Sequence, residues 1–305
     1  MIGIAIINYK TYEKTIKCIN SIRDSITIPY KIYLLDNGSN NDSAKELLFE
    51  YNNAKDVKVI ISEQNLGYAK GNNLCIQYML RENIEYGVIS NNDILCQKQT
   101  IEKLVEDLRQ YENLLLVGPK IYSPDMKFQC SVKNENIKGY YYLLNSMYIS
   151  SLWKKKKHEE EKKWDNIESI VEAKWISGAF FAFSMKNMKK IGFFDPTTFL
   201  FFEEAILSNK AERCRLKLAF EPKSVVIHDH AFSTGGGLNI VSRIAADKSE
   251  RYYFQNYTKA NRFFIFLLKI VRSVEVVYSF GKRKQFNYLR QYFKEMKMEV
   301  KKENG

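Results

Sequence analysis

Cysteine is scarce in this chain and follows no pattern. Cys18, Cys75, Cys96, Cys130 and Cys214 are scattered, odd in number and without a C-x-x-C pair. That argues against a disulfide frame or a zinc-thiolate site and fits a reducing cytoplasm. Long apolar runs are missing as well. The longest, near Phe263 to Leu268, stops at Lys269, far short of the roughly 18 residues a bilayer span needs. The start, Met1-Ile2-Gly3-Ile4, carries no basic stretch, so neither secretion nor membrane spanning is expected. In the N-terminal third neither G-x-G-x-x-G nor G-x-x-x-x-G-K-S/T occurs. A backbone cradle for phosphate is therefore not expected, and any bound phosphate must find its positive charge elsewhere.

What is present describes a folded protein. Hydrophobic residues make up 45% and charged residues 27% of the 305, which excludes a disordered, collagen-like or coiled-coil chain. The length suits about two domains, or one large α/β unit with an appendage. The net charge is +12, and its location matters more than its size. From Glu250 to Gly305 there are 13 basic and 5 acidic residues, so most of the excess lies in the last fifth. A basic segment rich in Phe, Tyr and Leu suits an anionic surface; a solvated helix face is the plainer reading of the same residues.

The first hundred residues alternate two patterns. Ile2 to Ile7, Ile32 to Leu35, Val57 to Ile61 and Tyr86 to Ile89 are short apolar runs, as strands buried on both faces require. Between them lie helix-spaced stretches such as Ala44, Leu47, Leu48 and Tyr51, and Ile101, Leu104, Val105 and Leu108 after a Thr100 cap. Strand and helix in turn predict βαβ units and a largely parallel, doubly wound sheet. Residues 119 to 170 read as loops plus an exposed charged helix, including the Lys154 to Lys157 run. Lys174 to Ser184 reads as one buried strand, with Gly178 marking a close approach. Phe199 to Arg215 reads as helix, Ser224 to Ile227 as a short strand and Ser233 to Gly237 as a flexible loop. The last sixty residues read as amphipathic helices on which Lys269, Arg272 and Glu275 share a polar side.

The strand ends are more telling than the strands. They run into Asn8-Tyr9, Asp36-Asn37-Gly38-Ser39, Ser62-Glu63-Gln64-Asn65 and Asn91-Asn92-Asp93, so polar groups collect at the carboxyl edge, where open α/β sheets bind ligands. Asp93 at a strand tip, beside amides, offers hard oxygen ligation for Mg²⁺ or Mn²⁺ already bound to phosphate; the plain reading is an ordinary turn. Ile227-His228-Asp229-His230 holds two of only three histidines, and an imidazole could complete such a site. Phe201-Phe202-Glu203-Glu204 opens a helix. Its acids could serve the helix dipole, or, with pKa raised by neighbouring rings, act as a base near neutral pH.

Taken in order, these blocks resemble a family. Ile4-Ala5-Ile6-Ile7-Asn8-Tyr9, Leu35-Asp36-Asn37-Gly38-Ser39, Asn65 to Asn73, Asn91-Asn92-Asp93, Ser177-Gly178-Ala179, Gly192-Phe193-Phe194-Asp195, Phe202-Glu203-Glu204 and His228 are similar to the motifs of family-2 glycosyltransferases. The resemblance spans about Ile2 to Ser233 and is nearest the rhamnosyltransferase-like, capsular-polysaccharide branch. It implies a GT-A fold, inverting transfer from a nucleotide-diphosphate sugar, and a divalent metal, Mn²⁺ or Mg²⁺. It also implies that Asn8 and Asp36 face the base and ribose, and that Asn65, Gly67, Asn72, Asn92 and Gly178 line the nucleotide-sugar pocket. Asp93 and His228 would hold the metal, with His230 the alternative ligand. Glu204 would be the base, with Glu203 the alternative, and Asp195 would order the acceptor side. The sequence departs from the family in Asn-Asn-Asp, which lacks one carboxylate, and in Glu-Glu followed by Ile206.

The expected organisation is a nucleotide-sugar half at 1–95, an acceptor and catalytic half at 96–238, and a basic helical extension at 239–305. The expected partners are a UDP- or dTDP-linked sugar and a saccharide or lipid-linked saccharide acceptor, with no nucleic acid. The expected location is the cytoplasm, with peripheral contact at the inner face of an anionic membrane; packing on the catalytic domain or a homodimer contact is the alternative use of the helices. A non-catalytic scaffold is the rival reading of the departures, and a nucleic-acid-binding protein a weaker one.

Overall fold

The computed structural model describes residues 1–129, 131–133, 139, 142, 159–229 and 239–297. The first half runs β1 (Ile2–Asn8), α1 (Tyr12–Ser25), β2 (Tyr30–Asn37), α2 (Ser43–Glu50), β3 (Val57–Ser62), α3 (Gly67–Arg81) and β4 (Tyr86–Asn91). Then come β5 (Ile94–Cys96), α4 (Thr100–Gln110), β6 (Leu114–Tyr122), β7 (Phe128–Gln129), β8 (Val132–Lys133), β9 (Val171–Ala173) and β10 (Trp175–Ile176). β11 (Phe180–Ser184), α5 (Met185–Ile191), α6 (Glu203–Arg213) and β12 (Lys217–His228) lead to three further helices, α7 (Ile240–Asn256), α8 (Arg262–Lys282) and α9 (Phe286–Met296).

Side-chain alternation along β1 sorts the core into two layers. Ile4 and Ile6 share one cluster with Cys18, Ile19 and Ile22 of α1, while Ala5 shares the other with Cys75, Ile76 and Met79 of α3. Helices on both faces explain why the strand is apolar throughout. Each such fully buried isoleucine contributes roughly 1.5–3 kcal/mol. The sheet order is β3-β2-β1-β4-β11-β6-β12-β5. β1 to β4 are parallel, β11 is antiparallel to β4 and β6, and β12 runs parallel to β6. The mixed, doubly wound architecture is as the sequence led us to expect, and the boundary expected at 95/96 falls inside β5 of one continuous sheet.

Four local expectations need correction. Lys174 to Ser184 is two strands, not one, because the turn at Ser177-Gly178-Ala179 commits its backbone to other partners. The Ser224 to Ile227 strand is the end of the longer β12, whose register shifts between Glu221 and Val225, where Pro222 cannot donate to the ladder. The helix expected from Phe199 starts only at Glu203, since Phe201 and Phe202 adopt left-handed φ of 72° and 68°. Of the exposed charged segment, 159–165 is helical and anchored by buried Trp164 against Phe220. Lys154 to Lys157 and Ser233 to Gly237 lie outside the described residues.

The fourth correction concerns α8. Arg272 does not sit on a solvated face. It is buried and donates from Nε and Nη2 to both oxygens of Glu250 on α7, at 2.8 and 2.6 Å, and from Nη1 to Glu275. Arg243 bridges Asp247 and Glu275, and the Tyr292 hydroxyl of α9 donates to Asp247 at 2.7 Å. A fork-shaped guanidinium buried against carboxylates is satisfied only in such a network, so Arg272 and Glu275 turn inward while Lys269 stays exposed.

Candidate active site

Asn8 and Asp36 end neighbouring parallel strands in register. The Asn8 amide donates to Asp36 Oδ2 at 2.7 Å, and Asp36 Oδ1 accepts from the Ser39 N–H at 3.1 Å. Asn8 Oδ1 in turn accepts from the Thr15 hydroxyl at 2.8 Å. Asn92 closes the network by donating to the hydroxyls of Thr11 and Thr15, at 2.8 and 2.9 Å. One polar lattice therefore joins the tips of β1, β2 and β4 with the first turn of α1. Asn8 and Asp36 are both buried, and form the floor of that edge.

Asn65 works on its own loop. Its Oδ1 accepts from the Gly67 N–H at 2.9 Å and from the Asn37 amide at 3.1 Å, an Asx-type turn. Gly67 opens α3 with a φ of +76°, and an added Cβ would lie 2.3 Å from the Phe199 carbonyl oxygen. The next residue, Tyr68, donates its N–H to that same oxygen. Asn72 corrects an expectation. It has no exposed surface and donates to the Tyr68 carbonyl at 3.0 Å, so it supports the wall from behind instead of lining it.

Asp93 and His228, 135 positions apart in the chain, meet. After Asn91 the chain turns through Asn92-Asp93 into β5, which pairs antiparallel with the end of β12, setting His228 opposite Ile94. The Asp229 N–H donates to the Asp93 carbonyl at 3.0 Å. His228 Nε2 then lies 3.0 Å from Asp93 Oδ1, both side chains being buried. Two ligands about 2.1 Å from one octahedral cation, at right angles, stand about 3.0 Å apart, so the pair fits a shared divalent ion. Among the described residues no third His, Cys, Asp or Glu joins them. Lys14 of α1 reaches the adjoining Asp229 carbonyl at 3.2 Å. His230 lies outside the described residues.

Glu203 and Glu204 begin α6, and the structure separates them. Glu203 is buried, whereas Glu204 is half-buried and its Oε1 accepts from the Gly178 N–H at 2.9 Å. From the other side the Tyr68 hydroxyl donates to the Gly178 carbonyl at 2.6 Å. A Cβ at Gly178 would sit 2.5 Å from Glu204 Oε1 and 2.9 Å from the Tyr68 hydroxyl, so a side chain there would push the Glu204 carboxylate aside. Burial pushes both carboxyls above the ordinary range, and the charge of Glu204 pushes Glu203 further. The Ala179 carbonyl accepts from the Asn91 N–H at 2.8 Å. Glu204, Gly178, Asn91, Asp93 and His228 consequently lie along one short path at the carboxyl edge.

Asp195 sits elsewhere. Its carboxylate accepts from the Tyr252 hydroxyl at 2.8 Å, from the Tyr257 hydroxyl, and from the Thr197 N–H at 2.9 Å. It braces α7 to the loop between α5 and α6, and its carboxylate is buried. Sequence reasoning gave no individual role to Asn37, Tyr68 and Asn73, which lie inside its motif blocks, or to Thr11 and Thr15. Asn73 exchanges two hydrogen bonds with the Phe194 backbone, at 3.0 and 3.1 Å. The signal was available for Thr11 and Thr15, four apart at the start of a helix that follows a strand tip.

Comparison with known proteins agrees with this geometry. An uncharacterised glycosyltransferase of Acanthamoeba polyphaga mimivirus is 28% identical over 200 residues, covering 63% of this chain and 65% of that protein. The N-acetylglucosaminyl-diphospho-decaprenol L-rhamnosyltransferase of Mycobacterium tuberculosis is 22% identical over 237 residues, 74% of each chain. Among solved structures, GalNAc-T7 with UDP, GalNAc and Mn²⁺ superposes with a TM-score of 0.61 at 17% identity, over 84% of this chain and 48% of that one. The mannosyltransferase PcManGT from Pyrobaculum calidifontis, with GDP-Man and Mn²⁺, gives 0.56 at 12% identity, over 97% and 74%. The fold is thus GT-A. With the family model for glycosyl transferase family 2 matching residues 3–205, the chain belongs to that family.

Proposed function

We propose that this protein is an inverting glycosyltransferase. It moves a sugar from a nucleotide-diphosphate donor, UDP- or dTDP-linked, to a hydroxyl of a saccharide or lipid-linked saccharide in cell-surface polysaccharide synthesis at the cytoplasmic side of the membrane. The observation that carries the reading is that Asp93 and His228 meet at the same sheet edge where Gly178 holds Glu204. A lipid-linked acceptor is supported by the decaprenol named for the mycobacterial relative, and a divalent metal by the Mn²⁺ in both solved neighbours.

Asp93 and His228 are the residues that would hold Mn²⁺ or Mg²⁺, which supplies Lewis acidity toward a departing diphosphate. Glu204 has one oxygen fixed by Gly178, leaving Oε2 to take the proton of the acceptor hydroxyl. Its raised pKa suits a base near neutral pH. Attack from the side opposite the diphosphate, in a single displacement, inverts the anomeric centre. The lattice of Asn8, Asp36 and Asn92 keeps the floor rigid beneath the nucleotide. Asp195 orders the acceptor side only through α7.

A panel of UDP-, dTDP- and GDP-sugars with Mn²⁺, scored for released nucleoside diphosphate, tests the reading. Release with one or a few donors, lost in Glu204→Gln, is expected. Silence with every donor and acceptor, or full activity in Glu204→Gln, would overturn it.

A further inference from the structure

The turning inward of Arg272 leaves the opposite face of α8 apolar and uncovered. Phe263, Phe266, Ile270, Val274, Val277 and Tyr278 are 44–68% exposed. At 3.6 residues per turn they fall within an arc of about 120°. Exposed Arg262 and Lys269 flank one edge of that arc, and exposed Lys282 the other. Both acids of the described part of α8 and α9 are engaged inward, Glu275 with Arg243 and Arg272 and Glu295 with Lys248. The stripe therefore presents rings and aliphatics bordered by cations of one sign. No helix among the described residues is long and apolar enough to cross a membrane.

We infer that this face of α8 docks on an anionic phospholipid bilayer, the helix lying flat with its stripe among the acyl chains and its flanking cations at the headgroups. Charge decides against the other occupants. In an isologous dimer each stripe would meet its own copy, setting like charges against like. Nucleic acid would engage the cations but leave the valines and isoleucine against water and phosphate. A lipid surface satisfies both parts together, as for interfacial amphipathic helices. Asp195 ties α7 to the loop that precedes α6, so docking would also restrain how the rest of the chain sits on the membrane. The inference deepens the proposed use of a lipid-linked acceptor, yet its test is binding, so it can fail while sugar transfer stands.

Co-sedimentation of the full chain with vesicles of phosphatidylcholine and phosphatidylglycerol in equal parts tests it, against vesicles of phosphatidylcholine alone. Binding to the anionic vesicles is expected to exceed the neutral ones by about tenfold or more and to weaken with added salt. The double variant Phe266→Asp/Val274→Asp should lose it, with donor turnover on a soluble acceptor unchanged. Tyr278→Ser, at the most exposed position, serves as a milder variant and should weaken it measurably. Equal binding to both vesicle types, unchanged binding by both variants, a dimer in sedimentation equilibrium that the variants dissolve without any vesicle binding, or retention of RNA in place of vesicles would each overturn it.

Discussion

His228 Nε2 stands 3.0 Å from Asp93 Oδ1 across the β5–β12 pairing. The antiparallel register of a three-residue strand is what brings them together, so the contact is as precise as the sheet itself. Replacing either residue by alanine should lower Mn²⁺-dependent release of nucleoside diphosphate by about a hundredfold or more, the worth of several kcal/mol of charge stabilisation. Chelator treatment of the native chain should do the same, with Mn²⁺ restoring the rate. Undiminished turnover in chelator would remove the metal from the scheme.

The two glutamates should part company in a pH profile. A base works only when deprotonated, and burial holds Glu204 above the ordinary carboxylate range. The kcat/KM should therefore rise with pH through that elevated pKa and then level off. Glu204→Gln should lose about a thousandfold or more, while Glu203→Gln, which mimics a protonated acid, should keep most of the rate. If Glu203→Gln is the dead variant, the roles are reversed.

Stability carries the opposite sign. A carboxyl whose pKa is raised by folding binds more protons in the native state, so it stabilises at low pH and that stability is lost as pH climbs through the folded value. For Glu203 the loss should begin above the ordinary carboxylate range. Thermal melts should show Tm falling toward alkaline pH in the native chain and a flatter profile in Glu203→Gln.

Asp195 should behave in the other direction. Burial alone would raise its carboxyl, but the Tyr257 hydroxyl, the Thr197 N–H and the Tyr252 hydroxyl together hold it below the ordinary range. Its contribution is present above the unfolded pKa and lost as pH falls through the folded one. Asp195→Ala strands these buried donors, each at roughly 1–3 kcal/mol. A lowered Tm is expected, with hydrogen exchange rising first in α7.

The fold was legible because periodicity is a local signal. Ile4, Ala5 and Ile6 announce a two-sided strand, and Leu104 with Leu108 a helix face, without any knowledge of partners. The ordered motif blocks made the edge of the sheet legible too, which is how Asp93 and His228 could be paired in advance. What stayed hidden depends on partners distant in sequence. Nothing local says that Glu250 draws Arg272 inward, that Tyr252 and Tyr257 occupy Asp195, or that Asn72 is walled off behind Tyr68. Polar residues on a helix read as solvated unless a buried opposite charge is known to await them.

Phe201 and Phe202 spend two consecutive residues in a conformation that bulky side chains rarely accept, immediately ahead of Glu203 and Glu204. The ring of Phe202 is kept there by Tyr253 of α7 and by Tyr142, at centroid distances of 5.5 and 6.3 Å. One of the two rings that hold this turn, Tyr253, therefore comes from the C-terminal helices. A shortened chain ending before α7 would strip Tyr253 from the turn that precedes the glutamate pair, leaving the Gly178 N–H as the contact that still holds Glu204.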